Sequence, residues 1–349
     1  MGEVVGFVKT EPMKKTGLAL FSVLLALAAG EIYLRLNPPL AIYNKTFHNL
    51  QETHSAPSPN PEIGYIPAAN LNKPFTNREF RTVIQTNSFH MRGGEITFEK
   101  PAGTRRIVTV GDSFLFGWGV NNEDLLTRVL ENKLDHTEVL NLGMSGYCAS
   151  QQVERLKEEG LRFQPDIVLF FVNEFPEACT PELMLRDGKL QHPYENAGRR
   201  ASLRIWALKH IYLYAMMEQV FYILFSSSNI KEDPAQEELI ERKYQAEGVS
   251  VLEQLKEVRR GQSWILILVF APNKEWLLGK SRLVAERLAI VKKIAGKENW
   301  KFLDLTRALE KKSEEGKFPY FKLDIHWNRE GHEAAAEAIE AYLKQENLI

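Results

Sequence analysis

Ile107-Val-Thr-Val-Gly-Asp-Ser-Phe-Leu-Phe-Gly-Trp118 decides how the rest of the chain is read. Its first four residues are all β-branched and pack best on a pleated surface. An unalternating run of this kind fits a strand buried on both faces of a parallel sheet. The run stops at Gly111-Asp-Ser113, with Gly111 expected to let the backbone turn sharply. That stop hands a small polar side chain to the carboxyl end of the strand, where open α/β sheets bind their ligands. Ser113 is therefore a candidate nucleophile. The plainer reading is a strand–turn–helix junction capped by Asp112 or Ser113.

A strand–helix alternation continues outward from this stretch. Strands are expected at 106–110, 138–142, 166–172, 264–270 and 301–305, and helices at 124–134, 150–160, 281–295 and 330–344. Strands separated by helices imply a five-stranded parallel sheet with right-handed crossovers. Residues 174–260 break the rhythm. They hold an aromatic- and Met-rich helix at about 202–225 and a charged one at about 235–259. This insertion is expected to pack on the domain; a membrane-surface or acyl-binding lid is the alternative. Lys209, His210 and Glu218 argue against a second membrane span.

A serine hydroxyl needs a base, a group that orients the base, and donors for the developing oxyanion. Candidates for each stand beyond a strand end or in the loop before the closing helix. Asn141-Leu-Gly-Met-Ser-Gly-Tyr147 follows the second strand, and Gly143 allows close approach of the backbone and its N–H. Asn173 ends the third strand with an amide able to donate. Leu323-Asp-Ile-His-Trp-Asn328 precedes the last helix, with His326 as base, Asp324 as its orienting group and Asn328 as a possible helix cap. His332 is expected to be structural.

Four blocks in this order resemble those of the GDSL/SGNH hydrolases. The resemblance implies a flavodoxin-like three-layer α/β domain, Ser113, Asp324 and His326 as catalytic residues, and Ser113, Gly143 and Asn173 around the oxyanion. Two departures stand out. Where the family usually has Gly-x-Asn-Asp, this chain has Phe171 and Glu174; and Asp324 lies two residues before His326 rather than three. The shorter Asp-x-His-Trp spacing is similar to that of SGNH-like alginate O-acetyltransferases. Asn87-Ser-Phe-His-Met-Arg92 resembles an Asn-Ser-x-Gly-Phe-Arg stretch of membrane-anchored bacterial members, with His90 in place of glycine. Arg92 is a weak candidate for substrate binding, a structural salt bridge being the alternative.

Composition narrows the partners. The 349 residues are 44% hydrophobic and 26% charged, with a net charge of -1, which gives no electrostatic case for nucleic acid. No metal-ligand spacing or phosphate loop is evident, so neither metal nor cofactor is expected. Cys148 and Cys179 are expected to be two separately buried thiols, pairing being the alternative in an oxidising compartment.

Residues 1–16 read as a cytoplasmic tail, in which Met13 is a possible true start, and 17–36 as a membrane anchor or signal segment. Ala26-Leu-Ala28 offers a possible cleavage site. Lys14 and Lys15 would leave the amino end inside the cell and the rest on the periplasmic or extracellular side. Residues 37–100 read as a stalk and extension, Pro-rich and extended to about residue 75, and 101–349 as the hydrolase domain. The expected partners are the membrane, through the N-terminal helix, and a small-molecule or glycan ester. Three functions remain open: a serine esterase, an O-acetyltransferase of an exported polysaccharide, and a catalytically silent glycan-binding module.

Overall fold

The computed structural model describes residues 11–36, 54–76, 79–173, 176, 179, 184–186, 189–191, 203–204, 206–207, 210–221, 234–279 and 282–349. In chain order these form α1 (Glu11–Leu36), β1 (Ser55–Pro57), β2 (Tyr65–Pro67), β3 (Asn72–Thr76), β4 (Arg81–Gln85), β5 (Arg105–Val110), α2 (Ser113–Phe116), α3 (Leu126–Lys133) and β6 (Thr137–Asn141). There follow α4 (Ala149–Glu158), β7 (Ile167–Val172), β8 (Met184–Arg186), β9 (Lys189–Gln191), α5 (Tyr212–Phe221) and α6 (Pro234–Arg259). The chain closes with β10 (Ile265–Phe270), α7 (Lys274–Gly279), α8 (Arg282–Lys297), β11 (Lys301–Asp304), α9 (Thr306–Glu314) and α10 (Arg329–Gln345). Two compact units divide these elements, one of residues 1–49 and 194–233, the other of 50–193 and 234–349.

The larger unit is built on a sheet of order β11-β10-β7-β5-β6. Every pairing in it is parallel. Numbered by first appearance within this sheet the order is 2-1-3-4-5 read from β6, the flavodoxin-like arrangement. The switch point falls between β5 and β7, which pair directly. β7 lies in the middle with all six residues buried, which explains its unbroken apolar sequence.

Alternate residues along the strands feed two separate cores, because successive side chains point to opposite faces. Val108, Val168, Phe170 and Leu268 meet Val153 of α4, Leu255 of α6 and Leu288 of α8. Ile107, Leu169, Phe171 and Val269 meet Leu130 of α3, Leu309 of α9 and Ile339 of α10. The result is three layers with helices on both faces. α7 and α9 fell between expected elements; at six and nine residues they are too short for a firm periodic signal.

The stalk reading is corrected from residue 54 onward. β1 pairs with β2 and β3 with β4, and Ile63, Tyr65, Ile66 and Phe75 are buried. Tyr65 Oη donates to the Ser145 carbonyl at 2.9 Å, and Gln151 Nε2 to the Ile63 carbonyl at 2.8 Å. Pro57, Pro67 and Pro74 lie within these paired strands rather than in an extended spacer. Residues 37–53 lie outside the described residues.

In the smaller unit α1 contains one stretch, Thr16–Leu36, long and apolar enough to cross a membrane, with a mean hydropathy of 2.0. The expected helix at 202–225 is described in part, chiefly as α5.

Candidate active site

The Gly111-Asp-Ser113 turn is built by close packing. A Cβ on Gly111 would lie 2.8 Å from Leu115 Cβ and 3.1 Å from Phe171 Cβ. Glycine is required there for space, and not for the sharp turn expected of it. Asp112 caps the one-turn helix α2, its Oδ1 accepting the Phe114 N–H at 2.9 Å. Ser113 is thereby the first residue of α2 and is buried. Its N–H belongs to the first helical turn, where no intrahelical acceptor exists.

Ser113 Oγ lies 2.7 Å from His326 Nε2, and His326 Nδ1 lies 2.5 Å from Asp324 Oδ1. The residues come together across 213 positions of sequence. The two-residue spacing closes without strain on the base, because Asp324 Oδ1 also accepts the His326 backbone N–H at 2.9 Å. Asp324 Oδ2 accepts from Trp118 Nε1 at 3.2 Å. Burial opposes ionisation of Asp324, but the hydrogen bonds and charge of His326 and the Trp118 indole outweigh it and hold the carboxyl below its ordinary range.

Two residues with no sequence signal hold the loop carrying Asp324. Glu79 accepts the N–H groups of Leu323 and Asp324 at 2.8 and 2.7 Å. Lys274 Nζ donates to the Phe321 and Lys322 carbonyls at 3.0 and 2.7 Å. Trp118 was visible five residues after Ser113, but nothing local marked its indole as a partner of Asp324. Trp327 is fully buried and meets Phe114 edge-on, with ring centroids 5.2 Å apart. Asn328 caps α10, accepting the Gly331 N–H at 3.2 Å. His332 is buried, and its Nδ1 accepts the Leu126 N–H at 3.2 Å. Burial pulls its ring down to about 3, so it is neutral.

The oxyanion candidates differ in what already occupies them. Gly143 N–H donates to Asn141 Oδ1 at 2.9 Å. Asn141 Nδ2 in turn donates to the Leu115 carbonyl at 2.8 Å. A Cβ on Gly143 would stand 2.6 Å from the Phe116 nitrogen, so the second block clamps α2 from below. Asn173 follows β7 directly, and its amide donates to Asp112 Oδ2. Burial pushes the Asp112 carboxyl up to about 6, partly offset by the Phe114 N–H, His326 and the Asn173 amide. A cavity of about 300 Å³ opens here, lined by Asp112, Phe114, Tyr147, Gln152, Asn173 and Tyr244 among others.

Arg92 is not placed to bind substrate. It is buried, and its five N–H donors go to the Phe116, Gly117 and Val120 carbonyls and twice to Asn122 Oδ1, at 2.6–3.2 Å. The salt-bridge alternative is likewise replaced, by a cage of neutral acceptors. Burial lowers this guanidinium to about 9. Upstream, His90 takes the glycine position of the related stretch with φ of 60°, in the left-handed region that glycine enters most easily. Cys148 and Cys179 form a disulfide with Cα atoms 6.1 Å apart, which corrects the expectation of two thiols. The bond ties the N-cap of α4 to the segment after β7. Among the described residues no cluster of His, Cys, Asp or Glu fit to hold a metal ion occurs.

A flavodoxin-like sheet with serine, histidine and aspartate in hydrogen-bonded series at its carboxyl edge is the arrangement of the GDSL/SGNH class. The GDSL-like lipase/acylhydrolase family profile matches residues 109–334, well over half of the chain, and the protein belongs to that family. No curated protein sequence matches the chain. Solved structures similar to it include a lipolytic protein of the G-D-S-L family from Desulfitobacterium hafniense, at 17% identity, covering 68% of this chain and 99% of the other, with a TM-score of 0.41. A lipase/acylhydrolase from Enterococcus faecalis shares 17% identity over 70% and 97% of the two chains, with a TM-score of 0.39. A psychrotrophic esterase from Pseudoalteromonas sp. shares 13% over 70% and 100%, with a TM-score of 0.42.

Proposed function

We propose that the protein is a serine esterase working through an acyl-serine intermediate. The observation that carries this reading is the unbroken series Ser113 Oγ–His326–Asp324, with contacts of 2.7 and 2.5 Å. Ser113 Oγ attacks the ester carbonyl while His326 Nε2 takes its proton and Asp324 stabilises the imidazolium. The alcohol leaves with the proton from His326, and water, activated by the same ring, releases the acid. The Ser113 N–H and the Asn173 amide serve the oxyanion. The Gly143 N–H joins them by sharing its bond to Asn141 Oδ1. The 300 Å³ cavity lies at the low end of ligand-pocket sizes and favours a short acyl group, such as an O-acetyl ester of a carbohydrate. α1 anchors the chain in a membrane, with the hydrolase unit on its outer side.

The full-length chain in detergent should hydrolyse a short-chain aryl ester, and Ser113→Ala should abolish turnover and fluorophosphonate labelling together. Unchanged turnover in that variant would sink the assignment. A wild-type chain that takes no label would instead favour the silent glycan-binding module.

The Asp324-x-His326-Trp327 spacing supports a second reading, transfer of the acyl group from Ser113 to a sugar hydroxyl of an exported polysaccharide. Incubation with an acetyl donor, with and without polysaccharide, separates the two by product: acetylated glycan for transfer, free acetate for hydrolysis.

A further inference from the structure

We infer that α5, together with the side chains of Leu203 and Trp206, is a second membrane-contacting element, seated in the lipid interface against the outer end of α1. The inference rests on the reading of α1 as a membrane anchor. It concerns a surface of the smaller unit that the esterase chemistry does not use.

α1 presents two problems that have one solution. From Thr16 to Ala29 every residue is exposed, so a helix of this apolarity has no protein around it to bury its side chains. Its last turns nevertheless carry Glu31 and Arg35. Charged groups at such depth are costly unless paired within the protein. Their partners come from the insertion. Glu31 Oε1 accepts the Tyr212 N–H at 3.1 Å, and Oε2 accepts the Leu213 N–H at 2.8 Å. Arg35 pairs with Glu31 at 2.9 Å, donates to the His210 carbonyl at 2.6 Å and lies over the Tyr212 ring, 5.1 Å from its centroid. The amino end of α5 is therefore bonded to α1 at Glu31.

Position follows from helix geometry. Thr16–Leu36 is 21 residues, enough for the whole hydrocarbon layer. Glu31 stands five residues from its end, roughly 7–8 Å along the axis at the helical rise per residue. That depth falls within the roughly 5–10 Å to which interfacial amphipathic helices sink their apolar faces below the headgroup boundary.

The outward surface of the insertion matches that environment. Tyr214, Met217 and Phe221 recur at helical spacing and are 36%, 63% and 62% exposed. Ala215, on another face, is buried. Leu203 and Trp206 add further exposed apolar surface at 67% and 51%. Among the described polar side chains there, Arg204 pairs with Glu218. Apolar side chains bonded to a helix that lipid surrounds meet the same lipid. The occupant is the bilayer rather than a second copy of the chain.

The test uses the full-length chain in phosphatidylethanolamine/phosphatidylglycerol nanodiscs, with a nitroxide on Leu24→Cys or on Met217→Cys. Both labels should collide freely with oxygen and be shielded from a water-soluble nickel complex. Acyl-chain-brominated lipid should also cause a loss of the emission difference between wild type and Trp206→Phe. A lipid-exposed Leu24 label with a nickel-accessible Met217 label overturns this inference and leaves the anchor standing. A water-exposed Leu24 label overturns both. A Met217 label closed to both quenchers, whose spectrum sharpens on dilution with unlabelled chain, assigns the face to a second copy and also overturns it.

Discussion

The indole Nε1 of Trp118 donates to Asp324 Oδ2 at 3.2 Å, joining the turn after Ser113 to the loop that carries His326. The same carboxylate gives its other oxygen to His326. Trp118→Phe keeps an aromatic ring at the position that packs edge-on against Phe75, with centroids 4.5 Å apart, and removes the donor together with the pyrrole ring that carries it. Asp324 loses one of the bonds that hold its carboxyl below the ordinary range. Its carboxyl should therefore protonate at higher pH, and the acid limb of the kcat/KM profile should move up. The lost bond is worth about 1–1.5 kcal/mol, or on the order of tenfold in kcat/KM at neutral pH. An unchanged pH profile would show that the indole is packing only.

Glu79 and Lys274 hold opposite sides of one loop, taking amides and carbonyls respectively. Glu79→Gln keeps a single acceptor for two N–H groups, and Lys274→Met keeps the stem without the donor. Each variant should lower kcat more than it raises KM, because the loop carries Asp324 to His326 and does not line the cavity with its amides. Steady-state kinetics on both variants, with circular dichroism to show retained structure, checks this. A change confined to KM would place these residues with substrate instead.

His332 couples stability to pH. The buried ring stays neutral down to about pH 3, whereas in the unfolded chain it takes up a proton near pH 6.5. Between these values the unfolded state binds more protons, so stability is lost as pH falls, by up to ~1.4 kcal/mol per pH unit. His332→Gln retains an acceptor for the Leu126 N–H and cannot charge. Denaturant titrations from pH 7 to 4 should show a shallower decline for the variant; parallel lines would contradict the assignment.

The Cys148–Cys179 bond closes a sequence separation of 31 residues. By loop-closure entropy this contributes roughly 3–4 kcal/mol. Cys148→Ser with Cys179→Ser should lower the unfolding midpoint and loosen the cavity wall that Cys148 helps to form. Thermal melts and KM for a short ester report the two effects separately. Equal midpoints for wild type and double variant would show that the bond constrains nothing.

The parts of this fold written in local chemistry were legible. β7 is an uninterrupted apolar run because both its faces are covered, and Ser113, Gly143 and Asn173 follow strand ends in the expected order, with Asn141 closing its strand. Asp324 looked displaced by its spacing, yet one carboxylate oxygen reaches both the ring and the backbone of His326. What was illegible depends on distant partners. Glu79 lies 245 positions from the amide of Asp324, and nothing around it signals the pairing. The Pro-rich segment misled because proline reports backbone restriction and not whether Tyr65 or Phe75 has a core to enter. The two cysteines carried no information on their approach, which the fold alone supplies.

The carbonyl cage around Arg92 sets where an independently folding enzyme can begin. The family match starts at residue 109, after the arginine whose donors hold the backbone of residues 116–120. A protein cut at that boundary would carry Ser113, Asp324 and His326, yet leave the turn bearing Trp118 without the donors to three of its carbonyls. A folding unit built on this sheet therefore needs more than the matched residues: it includes Arg92, and with it the hairpins that bury Tyr65 and Phe75.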